Sequence, residues 1–123
     1  MHPVRVLLVD DNEVVRESFR ALLEKVPDVQ LMGECRDGEE VIPFLIMHSV
    51  DVIFMDALMK HMDGFEATEL VKQHFKQVKV IGLTAFGSAT SLEKMRNSGV
   101  DGFVSKFDAD QAMIHAEIAR VLN

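Results

Sequence analysis

Apolar residues along this chain alternate between two rhythms. The run Val4-Arg5-Val6-Leu7-Leu8-Val9 gives way to Val15, Phe19, Leu22, Leu23 and Val26 at helical spacing, and Pro27-Asp28 supplies a stop. Near-continuous apolar runs return at Val52-Ile53-Phe54-Met55 and Val80-Ile81-Gly82-Leu83, the pattern of strands buried on both faces. From Val29 to Cys35 the pattern alternates instead: Val29, Leu31, Gly33 and Cys35 stand against Gln30, Met32 and Glu34, which predicts an edge strand with one exposed face. A helix is predicted from Gly38 to His48, with Pro43 inside it expected to kink or loosen it. Met62-Asp63-Gly64 turns the chain into a third helix from about Phe65 to Phe75, followed by a strand at Val78 to Leu83. A short, weakly amphipathic helix is expected around Ser88 to Asn97, with Gly99 as a left-handed cap, then a strand at Gly102 to Ser105. The last helix carries Ile114, Ile118, Val121 and Leu122 on one face, with Asp108 or Asp110 as its cap.

Five strands alternating with five helices predict an α/β fold, a doubly wound parallel sheet with right-handed crossovers and helices on both faces. The pattern shows no repeat or linker, so residues 1–123 read as one domain. Composition adds little, since 48% hydrophobic and 27% charged residues are ordinary for a globular protein. Charge adds more: a formal net charge of −7 opposes direct binding to nucleic acid or to an anionic membrane. Cys35 is the sole cysteine, which excludes an internal disulfide or a multi-cysteine metal cluster and makes a reducing setting the simplest inference. The start Met1-His2-Pro3-Val4-Arg5 lacks the regions of a signal peptide, and the expected location is the cytoplasm.

Candidate chemistry sits where the strands end. Asp10 and Asp11 close the first run, Asp56 the third, Thr84 the fourth and Lys106 the fifth, and ligands of open α/β sheets bind at those carboxyl ends. If the first and third strands are neighbours, three carboxylates converge. At ~4 Å and an effective dielectric of ~20, each pair would cost roughly 4 kcal/mol, so a cation or proton must compensate. All-oxygen ligands favour Mg²⁺ or Mn²⁺. Taken singly, each residue has a plainer role: Asp10 and Asp11 as caps of the first helix, Thr84 as a helix cap, Lys106 in a structural salt bridge. Together, a cation, an ammonium and a hydroxyl around one carboxylate meet the requirements of phosphoryl transfer to that carboxylate.

The motifs Leu-Leu-Val-Asp10-Asp11-Asn12, Phe54-Met55-Asp56, Met62-Asp63-Gly64, Leu83-Thr84-Ala85 and Phe103-Val104-Ser105-Lys106, in this order, resemble the receiver domain of two-component response regulators over essentially the whole chain. The resemblance implies a flavodoxin-like sheet of order 2-1-3-4-5. It implies that Asp56 accepts a phosphoryl group from a phosphohistidine on a sensor histidine kinase, and that Asp10, Asp11, Asp56 and the backbone carbonyl of Leu58 hold Mg²⁺. Lys106, the Thr84 hydroxyl and the Ala85 N–H would hold the phosphoryl oxygens, and Thr84 with Phe103 would form the switch. Such a domain is a signalling switch that catalyses only its own phosphorylation and dephosphorylation. Output would pass to a DNA-binding domain in the full-length chain or, for a stand-alone receiver, to a partner protein, with homodimerisation on phosphorylation.

Two positions depart from the family pattern: Lys60 and Phe107 stand where proline is usual, which loosens the loop after Asp56 and removes the ordinary reason for a cis peptide after Lys106. Leu58 and Phe86 are expected to flank the phosphoryl site and to restrict attacking water. A Mg²⁺-dependent phosphohydrolase with Asp56 as nucleophile is a remote alternative, because the sequence offers it no general acid and no cap over the site. A flavin or nucleotide binder would want a glycine-rich or hydroxyl-rich loop where the chain has Asp10-Asp11-Asn12-Glu13.

Overall fold

The computed structural model describes residues 2–85 and 89–123. In chain order its elements are β1 (Val4–Val9), α1 (Glu13–Glu24), β2 (Val29–Cys35), a 3₁₀ turn (Gly38–Glu40), α2 (Val41–Met47), β3 (Val52–Asp56), α3 (Gly64–His74), β4 (Lys79–Thr84), α4 (Ala89–Ser98), β5 (Gly102–Ser105) and α5 (Gln111–Leu122). The strands pair in parallel in the order β2-β1-β3-β4-β5, as the resemblance implied. The expected Ser88 start of the fourth helix and Phe86 lie outside the described residues. Among the described residues, no helix is long and apolar enough to cross a membrane.

The two faces of the sheet bury separate cores. Val6, Leu8, Phe54, Ile81 and Leu83 pack with Val15, Phe19 and Leu23 of α1 and Ile114 and Ile118 of α5. Leu7, Val9, Ile53, Met55 and Val80 pack with Val41 and Leu45 of α2, Ala67 and Val71 of α3 and Met95 of α4. Both neighbours of each central side chain along β1 and β3 are therefore apolar, which is why those runs show no alternation.

Three expectations are revised by local geometry. Pro43 does not kink a long helix: the segment from Gly38 divides into a 3₁₀ turn and α2, and Pro43 falls in the first turn of α2, where backbone N–H groups lack helical partners anyway. The first helix is capped by Asn12, whose side chain accepts from the N–H groups of Val14 and Val15, so Asp10 and Asp11 do not serve as its caps. The strict alternation expected of β2 is broken by a bulge: Val6 lies opposite Leu31 but Leu7 lies opposite Gly33, leaving Met32 as the extra residue. Val29 and Leu31 consequently pack on the α1 and α5 side, whereas Cys35 packs on the other. Burial pushes the Cys35 thiol up to about 12, which disfavours the reactive thiolate. The expected caps at Asp110 and Gly99 are present: Asp110 accepts from Met113 N–H at 2.8 Å, and Gly99 has φ +108°.

Candidate functional site

Register assembles the site. Val9 lies opposite Met55, so Asp10 and Asp56 emerge side by side one step later; Asp56 lies opposite Leu83, and Thr84 opposite Ser105, so Thr84 and Lys106 follow at the same edge. The Lys106 N–H bonds the Thr84 carbonyl at 2.8 Å, which fixes where the lysine leaves the sheet. Asp11, Asp56, Leu58, Thr84, Ala85 and Lys106 line one cleft of about 330 Å³. Asp10 lies beneath it, fully buried.

Lys106 Nζ stands 2.7 Å from Asp56 Oδ1 and 3.2 Å from Asp10 Oδ2, so it does make the salt bridge that is the plainer role for a lysine. Asp10 Oδ1 accepts from the Asn12 N–H at 2.8 Å. Its other oxygen, Oδ2, has that ionic neighbour but no hydrogen bond of good geometry, an uncommon state for a buried carboxylate. Burial pushes the Asp56 carboxyl up to about 6; the Lys106 hydrogen bond opposes this, and the charges of Asp10 and Asp11 add to it. Burial disfavours the Lys106 ammonium, yet its hydrogen bond to Asp56 and the charges of Asp56 and Asp10 hold its pKa above the ordinary lysine value. The two shifts agree physically: one ammonium gains from two carboxylates, Asp56 and Asp10, and does not offset the burial of Asp56 beside its acidic neighbours.

Oxygen atoms of Asp10, Asp11 and Asp56 lie within 4.8 Å of one another. An all-carboxylate donor set with an under-satisfied buried oxygen fits a hard divalent cation such as Mg²⁺. The Thr84 hydroxyl donates to the Val104 carbonyl at a long 3.4 Å and caps no described helix. Phe103 is not at the cleft. Its half-buried ring packs beside Met95, over Gly82, with the Arg96 guanidinium 5.5 Å above it.

Two residues hold the site in ways the sequence does not show: Gly64, legible only as part of a turn motif, and Asp37. Gly64 opens α3 directly on the end of β3: its N–H bonds the Ala57 carbonyl at 2.7 Å, and a Cβ there would collide with the Asp56 carbonyl oxygen. The Met62-Asp63-Gly64 motif thus has a steric cause, with Asp63 capping α3 through the Glu66 N–H at 2.9 Å. Gly64→Ala should cost roughly 1–3 kcal/mol in urea unfolding, because backbone rather than a flexible side chain must give way.

The second is Asp37, buried, which accepts from the N–H groups of His61 at 2.8 Å and Met62 at 3.0 Å and so ties down the loop that Lys60 was expected to loosen. Burial would raise its pKa, but bonds from His61, Glu39 and Met62 together hold it below the ordinary aspartate value. A lowered folded pKa contributes stability above the unfolded value, lost as pH falls through the folded one. Asp37→Ala should therefore cost roughly 1–3 kcal/mol at pH 7, with the gap to wild type closing only below about pH 4. A gap that stayed constant to pH 2 would assign the loss to packing instead.

Comparison with known proteins gives one consistent result. Residues 6–119 match the profile of the response regulator receiver domain. The chain is 45% identical over 83 residues to the transcriptional regulatory protein LiaR of Bacillus subtilis, covering 68% of this chain and 39% of that protein. It is 34% identical over 113 residues to the response regulator UvrY of Escherichia coli, covering 92% of this chain and 52% of that protein. The chain thus spans about half or less of these relatives' length. A two-component response regulator of the LuxR family from Aurantimonas superposes with a TM-score of 0.87 at 28% identity, covering 98% of this chain and 85% of that one. The receiver domain of the response regulator NarL from Mycobacterium tuberculosis shares the fold, with a TM-score of 0.89 at 24% identity over 99% of this chain and 98% of that one.

Proposed function

This chain belongs to the response regulator receiver domain family, and from that premise we infer that it is a phosphoacceptor switch in which Asp56 takes a phosphoryl group from a phosphohistidine of a sensor histidine kinase. The observation that carries the reading is the Asp56 carboxylate: it ends a central strand in a cleft, 2.7 Å from an ammonium and within 4.8 Å of two further acids. A carboxylate oxygen attacks phosphorus, the new O–P bond forms as the P–N bond breaks, and the kinase imidazole leaves. Mg²⁺, when held there, would supply charge neutralisation for the carboxylates and the incoming phosphoryl oxygens. Asp10, Asp11, Asp56 and the Leu58 backbone carbonyl would hold it. The Ala57 carbonyl is engaged by the Gly64 N–H; the Leu58 carbonyl is the ligand that the family resemblance implies.

Lys106 then trades its contact with Asp56 for a phosphoryl oxygen, and the Thr84 hydroxyl and Ala85 N–H take the others. Thr84 gives up only the long bond to Val104, a weak restraint. Its inward movement leaves space for the half-buried Phe103 ring to pack deeper. Charge-assisted hydrogen bonds worth roughly 1.5–3 kcal/mol each are sufficient to shift such an equilibrium by one to two orders of magnitude. The name of LiaR, a transcriptional regulatory protein, supports an output in transcription, with this chain as the receiver portion of a DNA-binding regulator.

Incubation with a small acyl phosphate and Mg²⁺ tests the reading: it requires stoichiometric, acid-stable, base-labile phosphate that is absent in Asp56→Asn. Continuous multiple turnover would instead support a phosphohydrolase. Leu58, 66% exposed at the cleft, is expected to shield the acyl phosphate from water, so Leu58→Asn should shorten its lifetime. An unchanged decay rate would remove that role.

A further inference from the structure

The acidic site is held from behind by a buried ion pair that the phosphotransfer reading does not use. Arg16, on α1, is 5% exposed, and its Nη1 donates to the Asp10 backbone carbonyl at 2.7 Å. A buried guanidinium needs a counter-charge, and Glu34 provides it, 3.3 Å from Arg16 Nε. Glu34 is itself gripped from the solvent side by Arg20, through bonds of 2.6 and 2.9 Å. The Arg20 hydrogen bond, against the opposing effect of burial, holds the Glu34 carboxyl below its ordinary value, so it is ionised at neutral pH.

Glu34 reaches α1 only because of the Met32 bulge. Without the extra residue, position 34 would turn to the opposite face of the sheet, and Arg16 would be buried without a partner. The bulge thus has a definite result: a chain of contacts from the surface of α1, through β2, to the Asp10 carbonyl.

That carbonyl belongs to the peptide joining Asp10 to Asp11. The Asp10 N–H is tied to the Cys35 carbonyl at 3.1 Å, and the Arg16 bond fixes the other side, so both ends of the residue are set before the side chains diverge. We propose that Arg16, neutralised by Glu34, is a positioning residue for the divalent-cation site, holding the Asp10–Asp11 peptide at the angle from which two of the three carboxylates converge on Asp56. The proposal rests on the cation-binding reading above.

Mg²⁺ binding to the protein, measured by titration calorimetry, tests it alongside thermal melting in EDTA. Arg16→Lys retains a positive charge for Glu34, but a single ammonium does not reproduce the fork that also holds the carbonyl. The double variant Arg16→Met/Glu34→Met replaces the buried pair by apolar side chains, a change often neutral for stability, and leaves only the exposed Arg20 without its partner. Both variants should melt cooperatively yet bind Mg²⁺ roughly tenfold or more weakly, the usual effect of losing support behind a metal ligand. Either variant folding and binding Mg²⁺ as wild type does would overturn the positioning role. Asp11→Asn separates this failure from a failure of the site itself: if wild type and Asp11→Asn bind alike, or neither binds, the cation reading falls and the proposal with it.

Discussion

Asp56→Asn will accept no phosphoryl group and will nevertheless be more stable than the wild-type protein in EDTA at pH 7. The first part follows from the loss of the nucleophile. The second follows from crowding: burial, then the charges of Asp10 and Asp11, outweigh Lys106 and push the Asp56 carboxyl up to about 6. An acid whose folded pKa exceeds its unfolded value of about 3.9 binds more protons when folded, so stability declines as pH rises between those values. Above about pH 6 the ionised wild type carries the whole deficit, on the order of 1–3 kcal/mol, which a neutral amide of the same shape removes. Melting at pH 7 and pH 4 decides the matter: the variant's advantage should be present at the first and absent at the second. A variant less stable at pH 7 would show that the Asp56–Lys106 pair is a net structural bond.

The second large effect is expected at Lys106. Its ammonium touches both Asp56 and Asp10, whose side chains are 5% and 0% exposed, and Lys106→Met leaves two adjacent buried carboxylates with no cation between them. Removing one partner from a buried ion pair typically costs about 3–5 kcal/mol, and here the remaining partners also repel each other. The loss should be greatest at pH 7 in EDTA and should shrink at pH 5, where a proton on Asp56 relieves it. Added Mg²⁺ should also relieve it, since the cation replaces the missing charge. Urea unfolding under those three conditions checks the prediction; a small loss independent of pH and Mg²⁺ would mean that the carboxylates are not crowded.

Strand-end residues were legible because residue type and position carry their meaning. A carboxylate that closes an apolar run has no core to enter, and the crossover topology places every parallel strand's end at one edge. The supports behind them were less legible. Asp37 reads as an ordinary turn residue, and only its bonds to His61 and Met62, 24 and 25 positions along, show what it holds. Arg16 and Glu34 look like solvated charges on an amphipathic helix and an edge strand. Pro43 looks like a helix interruption in the sequence because the preceding 3₁₀ turn has no period of its own to separate it from α2.

The sequence by itself determined the number and approximate limits of the strands and α-helices described, though not the 3₁₀ turn before α2, and which residues would stand at the strand ends, since burial on one face or two is written locally in the rhythm of apolar positions. The tertiary structure decided the rest: that β1 lies beside β3 so that Asp10 meets Asp56, that the Met32 bulge turns Glu34 toward Arg16, and that α3 docks closely enough to require Gly64. Each of these depends on hydrogen-bond register or close packing between segments distant in the chain. No local pattern encodes a one-residue slip between two strands, yet that slip determines which face every following side chain occupies.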